Sequence, residues 1–164
     1  VLYCLLLFFH YNSIFHTAMI VIINGPNLNL LGKRSPHIYG TRTLPDIIKD
    51  VRESFPNVSI MDFQSNSEGA IIDLIHQFGY DRNCDGIVIN PGAYAHYSLA
   101  IADAIEAVPV PVVEVHISNI HAREEFRHNS VTARAAKAVI AGCDTFGYKL
   151  AVEYLLNLDD GIPF

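Results

Sequence analysis

Apolar residues along this chain fall into short, nearly continuous runs that are separated by segments of helical periodicity. The runs are rich in β-branched residues and cover positions 20–23, 58–63, 86–90, 112–116 and, most weakly, 138–141. Elsewhere apolar residues recur three or four positions apart, at 44–55, 68–78, 98–107 and 148–156, and a short turn falls near 123–127. The first pattern is typical of buried strands and the second of amphipathic helices.

Strands that are apolar on both faces and alternate with helices are typical of a parallel sheet covered on both sides. The five strand–helix units predict an α/β fold. We expect a flavodoxin-like, doubly wound domain whose five-stranded parallel sheet has the order 2-1-3-4-5, with helices on both faces. At 164 residues, 51% of them hydrophobic, the chain is long enough to bury the core of one such domain.

The first 18 residues differ from the rest, because VLYCLLLFFHYNSIFHTA is apolar and aromatic and contains no lysine or arginine. A secretory signal peptide begins with a basic region, which this segment lacks. A transmembrane helix needs about 20 apolar residues, more than the run at 1–9 provides. We therefore expect a single domain at 19–164 that starts at Met19, with 1–18 as an apolar extension outside the fold.

Charge and cysteine content narrow the possible partners and compartments. The net charge is −6 and lysine and arginine form no run, which argues against nucleic acid because phosphate binding needs a basic face. Cys4, Cys84 and Cys143 are odd in number and show no CxxC spacing, so neither a disulfide framework nor a zinc knuckle is predicted. We expect a cytoplasmic protein with no nucleic-acid or membrane partner.

Polar residues concentrate in the loops that follow the predicted strands. In a doubly wound sheet, ligands bind outside the carboxyl ends of the strands. The loops at that end read NGPNLNLLGKRSPHIYG, QSNSEG, NPGAYAHYS and HISNIHAREEFRHNS, and all are rich in asparagine, histidine, serine or glycine. The opposite loops, such as FPN and VPVP, contain only turn residues. This asymmetry predicts an active site at one end of the sheet.

These four segments resemble, in order and over residues 19–156, the type II 3-dehydroquinate dehydratases. The resemblance implies a flavodoxin-like subunit in a homo-oligomer, usually a dodecamer. The implied activity is the reversible dehydration of 3-dehydroquinate to 3-dehydroshikimate, a step of the shikimate pathway that leads to aromatic amino acids and also of quinate breakdown. The implied ligand is the small-molecule substrate, with no cofactor, metal or Schiff base.

Removing a proton next to a ketone requires a base, stabilisation of the enolate, and an acid that helps hydroxide leave. The resemblance makes Tyr39 the base and His116 the acid. A phenol with a pKa of about 10 is a poor base at neutral pH unless cations favour the phenolate. Arg34, five residues before Tyr39, and Arg123, in the loop after the fourth strand, would supply that charge.

Two further residues would support the chemistry. Glu114 stands two positions before His116, on the same side of the strand by the period of two, and could orient or charge the imidazole. Asn27 resembles the residue that holds a water against the developing enolate oxygen. Asparagine in such a loop also commonly shapes a turn. Both interpretations of Asn27 remain open from the sequence.

The resemblance also implies the substrate contacts. Asn90 and His96 would contact the hydroxyls and carboxylate, Ser118 with the backbone of Ile117 would clamp the carboxylate, and Arg127 would bind a ring hydroxyl.

Asp103 requires a separate argument. The helix LAIADAI is expected to bury Leu99, Ala102 and Ile105 and to turn Asp103 outward. In the family this aspartate reaches the site of a neighbouring subunit, so its role depends on the oligomer.

The loop at 31–40 contains glycines beside Arg34 and Tyr39 and is expected to act as a lid that excludes water. Within it, Ser35 replaces an acidic residue that is common in the family, but no proposed catalytic group is affected.

Other interpretations of the same residues fit less well. A flavodoxin-like binding protein for flavin or a phosphorylated ligand needs a hydroxyl-rich phosphate loop, which NGPNLNLLG lacks. A receiver domain needs an acidic cluster where this chain has asparagine and histidine. The presence together of the proposed base, acid and arginines disfavours a noncatalytic relative. His116, His121 and His128 are spaced by five and seven positions, which matches no zinc pattern.

Overall fold

The computed structural model describes residues 17–33 and 41–158. Its five strands form one sheet in the order β2-β1-β3-β4-β5, and each neighbouring pair runs parallel. The strands are β1 (Met19–Asn24), β2 (Ser59–Gln64), β3 (Gly86–Asn90), β4 (Val112–His116) and β5 (Ala138–Ala141). The predicted doubly wound, flavodoxin-like α/β fold and its strand order are confirmed.

The helices follow the strands as the sequence pattern predicts, with ends that differ by one residue. They are α1 (Leu44–Ser54), α2 (Glu68–Gly79), α3 (Leu99–Ala107) and α4 (Gly147–Leu156). The side chains of Thr43, Ser67 and Ser98 accept hydrogen bonds from backbone amides of the first turns of α1, α2 and α3 and so fix where these helices begin. No helix in the described ranges is both long and apolar enough to cross a membrane.

Alternation along the central strands divides the core into two layers. In β1, Ile20 and Ile22 pack with α1 and α4, whereas Val21 and Ile23 pack with α2 and α3. All four side chains are fully buried. Because both faces of a strand in such a sheet must be apolar, this layering explains why β1 reads as a continuous hydrophobic run.

The expectation that Leu99 is buried in α3 is wrong, because its exposed fraction is 60%. Ala102 and Ile105 are buried as predicted. Leu99 precedes Asp103 by four residues, one helical turn, and therefore shares the outward face with that aspartate. The buried face is centred instead on Ile101 and Ile105.

Polar residues end three neighbouring strands at the carboxyl edge of the sheet. Asn24 of β1 lies in register with Asn90 of β3, and His116 is the last residue of β4. All three side chains are buried. At the same edge, the Gly25 amide donates to the Asn90 carbonyl at 2.7 Å. A Cβ at Gly25 would lie 2.5 Å from the Pro91 oxygen, so this approach requires glycine.

Candidate active site

A pocket opens at the carboxyl edge of the sheet, between the loops that follow β1, β3 and β4. The predicted site residues that line it are Asn27, Asn90, His96, His116, Ile117, Ser118, Arg123 and Arg127. The other lining residues are Pro26, Leu28, Leu31, Gly92, Ala93 and Ile120. The structure therefore brings together, in one cavity, residues that are up to a hundred positions apart in the sequence.

His116 and Glu114 form a buried pair beneath this pocket. The His116 Nε2 nitrogen donates to the Glu114 Oε1 oxygen at 2.6 Å, which leaves Nδ1 as the nitrogen for a ligand. The Glu114 side chain is fully buried, and 6% of the His116 side chain is exposed. The prediction that Glu114 contacts the imidazole is confirmed, because a two-residue step along β4 returns to the same face.

Hydroxyl groups complete the surroundings of the Glu114 carboxylate. Ser130 Oγ donates to Oε1 at 2.6 Å, and Thr132 Oγ1 donates to Oε2 at 2.5 Å. Burial alone would raise the pKa of Glu114, but hydrogen bonds from His116, Ser130 and Thr132 outweigh it and hold the pKa below its usual range. The carboxylate is therefore ionised at neutral pH and can stabilise positive charge on the His116 ring.

A second imidazole, that of His96, faces the first. The rings of His96 and His116 are nearly parallel, with 6.4 Å between centroids and 20° between planes. His96 Nδ1 lies 2.9 Å from the Asn129 carbonyl oxygen. Because a carbonyl can only accept, Nδ1 carries the proton and Nε2 is the acceptor in the neutral ring. The pocket therefore contains two imidazoles whose orientation the surrounding chain fixes.

Two arginines are among the residues that line the pocket. Arg123 Nη1 donates to Ser118 Oγ at 3.2 Å, and Arg127 Nε donates to Glu124 Oε2 at 3.0 Å. The Arg127 guanidinium also lies 4.9 Å from the centroid of the Phe126 ring. Glu124 Oε2 also lies 3.3 Å from Arg123 Nε, so this one carboxylate contacts both cations.

Asn27 adopts a left-handed conformation, with φ 66°, at the start of the short turn that follows β1. Its backbone amide donates to Asn66 Oδ1, in the loop after β2, at 2.9 Å. The interpretation of Asn27 as a turn-forming residue is therefore confirmed. Because Asn27 also lines the pocket, the turn places this residue where a ligand can reach it.

A family model described as "Dehydroquinase class II" matches residues 18–156. The chain belongs to the class II dehydroquinase family. It is 52% identical over 142 residues to 3-dehydroquinate dehydratase 1 of Agrobacterium fabrum, covering 85% of this chain and 97% of that protein. It is also 52% identical over 142 residues to the catabolic 3-dehydroquinase of Botryotinia fuckeliana, covering 84% of this chain and 92% of that protein.

Solved structures agree with this membership. The crystal structure of type II dehydroquinase from Propionibacterium acnes matches with a TM-score of 0.80 and 45% identity, covering 84% of this chain and 94% of that one. That of type II dehydroquinase from Butyrivibrio crossotus matches with a TM-score of 0.82 and 45% identity, covering 85% and 98%. The similarity in fold therefore agrees with the similarity in sequence, and both place this chain in the class II dehydroquinase family.

The remaining predicted site residues of this dehydroquinase are Tyr39, Arg34 and Asp103. Tyr39 and Arg34 fall outside the described residues, as does most of the predicted lid. Asp103 does not line the pocket of its own subunit; 73% of its side chain is exposed, and a carboxylate oxygen lies 3.8 Å from Arg134 Nη2. The predicted outward position of Asp103 is confirmed, whereas its role in a neighbouring subunit stays a prediction.

Sequence reasoning missed two groups of residues in the site of this dehydroquinase. Ser130 and Thr132 contact Glu114 from 16 and 18 positions away. Tyr148, in α4, donates its hydroxyl hydrogen to Asn24 Oδ1 at 2.6 Å and accepts from Asn90 Nδ2 at 2.9 Å. Ser130 ends the polar loop HISNIHAREEFRHNS that the sequence places at this end of the sheet, but no periodicity pairs it with Glu114, and Thr132 and Tyr148 have no such signal.

Proposed function

We propose that this pocket dehydrates 3-dehydroquinate to 3-dehydroshikimate, with a tyrosinate base and a histidine acid acting through an enolate intermediate. The observation that carries this proposal is the buried Glu114–His116 pair, which lies at a pocket lined by arginines. The chain that forms this pocket belongs to the class II dehydroquinase family. An imidazole held by an ionised carboxylate is suited to general acid catalysis at neutral pH.

Composition of the pocket supports an anionic substrate. Among its described lining residues, Arg123 and Arg127 are the charged side chains and none is Asp or Glu, although the chain as a whole has a net charge of −6. Both guanidinium groups also contact Glu124, but two cations against this one carboxylate leave positive charge here, which favours binding of a substrate carboxylate. We assign carboxylate binding to Ser118 and the Ile117 backbone, as the resemblance implies.

The ring hydroxyls of the substrate would meet the remaining polar residues, Asn90, His96 and Arg127. His96 presents Nε2, since Nδ1 is bonded to the Asn129 carbonyl. Asn90 has one amide hydrogen bonded to Tyr148 and its Oδ1 bonded to the Gly92 amide, so its second amide hydrogen is the group for substrate.

The first chemical step is removal of a proton from the carbon next to the ketone. Tyr39 is proposed as the base, with Arg34 and Arg123 stabilising its phenolate. In support of this assignment, Leu31, three residues before Arg34 in the sequence, lines the pocket. The electron pair left by the proton forms the enolate, whose oxygen a water held by Asn27 would stabilise.

The second step breaks the carbon–oxygen bond of the hydroxyl on the next carbon. His116 Nδ1 donates its proton to the departing oxygen, and the product is water. The enolate electrons return to restore the ketone, now conjugated with the new carbon–carbon double bond. Tyr39 has gained one proton and His116 has lost one, so proton exchange with solvent resets the site.

We also propose that this dehydroquinase is cytoplasmic and acts as a homo-oligomer, of dodecamer size as the resemblance implies, with Asp103 completing a neighbouring site. Exposed apolar side chains support a contact near Asp103: Leu99, one turn before it in α3, and Tyr97, two residues before that helix, have exposed fractions of 60% and 63%. Light scattering should give a mass several times that of the 18.2 kDa chain. An active monomer would contradict this role of Asp103.

The test of the proposed reaction is the ultraviolet absorbance of the conjugated enone as the protein meets 3-dehydroquinate. Absorbance should rise with the native chain and should not rise with Tyr39→Phe, which keeps the ring and loses the base. A flat trace from folded native protein would contradict the dehydration. Turnover by Tyr39→Phe at the native rate would contradict only the choice of base.

A further inference from the structure

We propose that Ser130 and Thr132 are positioning residues that act through Glu114 to keep the acidic proton on the His116 ring. This inference rests on the proposed dehydration, in which His116 is the acid. Neither hydroxyl lines the pocket, so neither residue is a catalytic residue itself. Their effect on the reaction passes through the buried carboxylate.

Each of the two hydroxyls donates to a different oxygen of the Glu114 carboxylate. Ser130 donates to Oε1, the oxygen that also accepts from His116, and Thr132 donates to Oε2. Both oxygens of Glu114 are thereby occupied in a fully buried environment. An ionised carboxylate taken out of water persists only when such donors replace its hydration.

The segment that carries these hydroxyls, residues 129–132, is anchored to the turn that carries His96. The Val131 amide donates to the Ala95 carbonyl at 2.7 Å, and the Asn129 carbonyl accepts from His96 Nδ1 at 2.9 Å. Thr132 is fully buried. Segment 129–132 thus contacts one imidazole directly and the other through Glu114, which makes it a common support for both rings.

The chemical consequence concerns where one proton resides. The Glu114–His116 pair can hold it as a carboxylate with an imidazolium, or as a carboxylic acid with a neutral imidazole. In both states Nδ1 bears hydrogen, but the N–H of a neutral imidazole is a far weaker acid than that of an imidazolium. Hydrogen bonds from Ser130 and Thr132 favour the carboxylate and therefore the stronger acid.

Removing a hydroxyl donor should change the pH profile in a defined direction. When the Glu114–His116 pair has lost its proton, the imidazole is neutral and no longer balances the negative charge of the carboxylate. The hydrogen bonds from Ser130 and Thr132 then contribute most to stabilising that charge. Losing a hydroxyl donor therefore disfavours the deprotonated pair, so the alkaline limb of the kcat profile moves to higher pH. The plateau value of kcat falls, because less of the proton resides on the His116 ring. The other titratable groups among the described lining residues are His96, Arg123 and Arg127, whereas the hydroxyl removed from Thr132 donates to Glu114.

The test compares Thr132→Val with Thr132→Ser in the full chain. Valine keeps the shape and loses the hydroxyl, whereas serine keeps the hydroxyl and loses a methyl group. We expect kcat of Thr132→Val to fall by about 10-fold, with KM within about twofold and the alkaline limb raised by about one pH unit. Thr132→Ser should retain most of kcat and the native profile.

A matched control removes a hydroxyl at the opposite end of the sheet. Tyr80 donates to the Ala107 carbonyl at 2.6 Å, and Tyr80→Phe should leave kcat and the pH profile unchanged. If Thr132→Ser is as slow as Thr132→Val, or if Thr132→Val matches the native protein, the positioning role is overturned. A purely structural role would favour the isosteric valine over serine.

A second measurement separates this inference from the proposed reaction. Nitrogen NMR of labelled histidine, with the His116 signals assigned by their loss in His116→Asn, follows the ring without substrate. The titration of these signals should move to higher pH in Thr132→Val and not in Thr132→Ser. Coincident titrations in the native protein and both variants would overturn the inference, whether or not turnover is seen. A shifted titration in a protein without turnover would contradict the dehydration alone.

Discussion

Two buried polar networks lie side by side at the carboxyl edge of the sheet. The charged network contains Glu114, His116, Ser130 and Thr132, and the neutral network contains Asn24, Asn90 and Tyr148. Burial raises the pKa of Tyr148 far above its ordinary value, so this phenol stays neutral, whereas Glu114 stays ionised. Two networks with similar burial can therefore act differently: the charged one can support proton transfer, whereas the neutral one can hold positions and, through Asn90, contact a ligand but cannot transfer a proton.

The neutral network connects the sheet to the last helix. The Tyr148 hydroxyl bridges Asn24 of β1 and Asn90 of β3 from its place in α4. Of the two amides, only Asn90 lines the pocket. Asn24 Nδ2 is buried and lacks a hydrogen-bond partner among the described residues, so the network is not fully satisfied. Changes here should alter stability more than catalysis.

The largest expected effect comes from neutralising the charged network. Glu114→Gln keeps the size of the side chain but cannot compensate positive charge on His116, so kcat should fall by about 100-fold or more, within the range of general acid catalysis. KM should stay within a few-fold because the Glu114 side chain lies beneath the pocket lining. Steady-state kinetics by the enone absorbance would check this. A kcat within threefold of native would remove the distinction between the networks.

Tyr148→Phe should give the opposite pattern. Loss of the hydroxyl leaves Asn24 Oδ1 without its donor and Asn90 Nδ2 without its acceptor, which should lower the free energy of unfolding by about 2 to 4 kcal/mol. Urea denaturation measures that loss. We expect kcat to change by less than about fivefold, because no proton in the proposed reaction passes through this network. A large loss of kcat in a stable variant would show that the neutral network is also catalytic.

Acid pH should weaken the charged network and spare the neutral one. Because the pKa of folded Glu114 is depressed, its contribution to stability is present above the pKa of the unfolded side chain, about 4.3, and is lost as pH falls through the folded value. The free energy of unfolding of the native protein should therefore fall relative to Glu114→Gln on acidification. The difference between native protein and Tyr148→Phe should stay constant. Urea titrations at pH 7, 4 and 3 would show it, because the loss falls below the pKa of the unfolded side chain.

Sequence patterns were sufficient wherever structure depends on neighbours in the chain. The β-branched runs became strands, and Thr43, Ser67 and Ser98 begin helices because a capping hydroxyl acts on amides two or three residues away. The position of Glu114 beside His116 follows from the period of a strand. The pocket follows from topology, since parallel strands bring their carboxyl ends to one edge.

Sequence patterns failed where partners come from different elements. Tyr148 meets Asn24 across 124 positions, and Ser130 meets Glu114 from an irregular segment. Leu99 was wrongly expected in the core, because the apolar character of a single helix residue does not state which face is covered. Each failure concerns tertiary packing, which a one-dimensional period does not contain.

The smallest expected effect comes from an ion pair at the surface. Because this pair is charged but exposed, it tests whether charge alone, without burial, makes a network important. Arg52 Nη2 lies 2.5 Å from Asp62 Oδ1, but their side chains are 48% and 33% exposed. Arg52 also donates to the Ile60 carbonyl and would keep that bond in Asp62→Asn. Because water screens such a pair, Asp62→Asn should change the free energy of unfolding by about 0.5 kcal/mol or less and leave kcat unchanged. A cost as large as that of Tyr148→Phe would mean that burial is not what gives the charged network its importance.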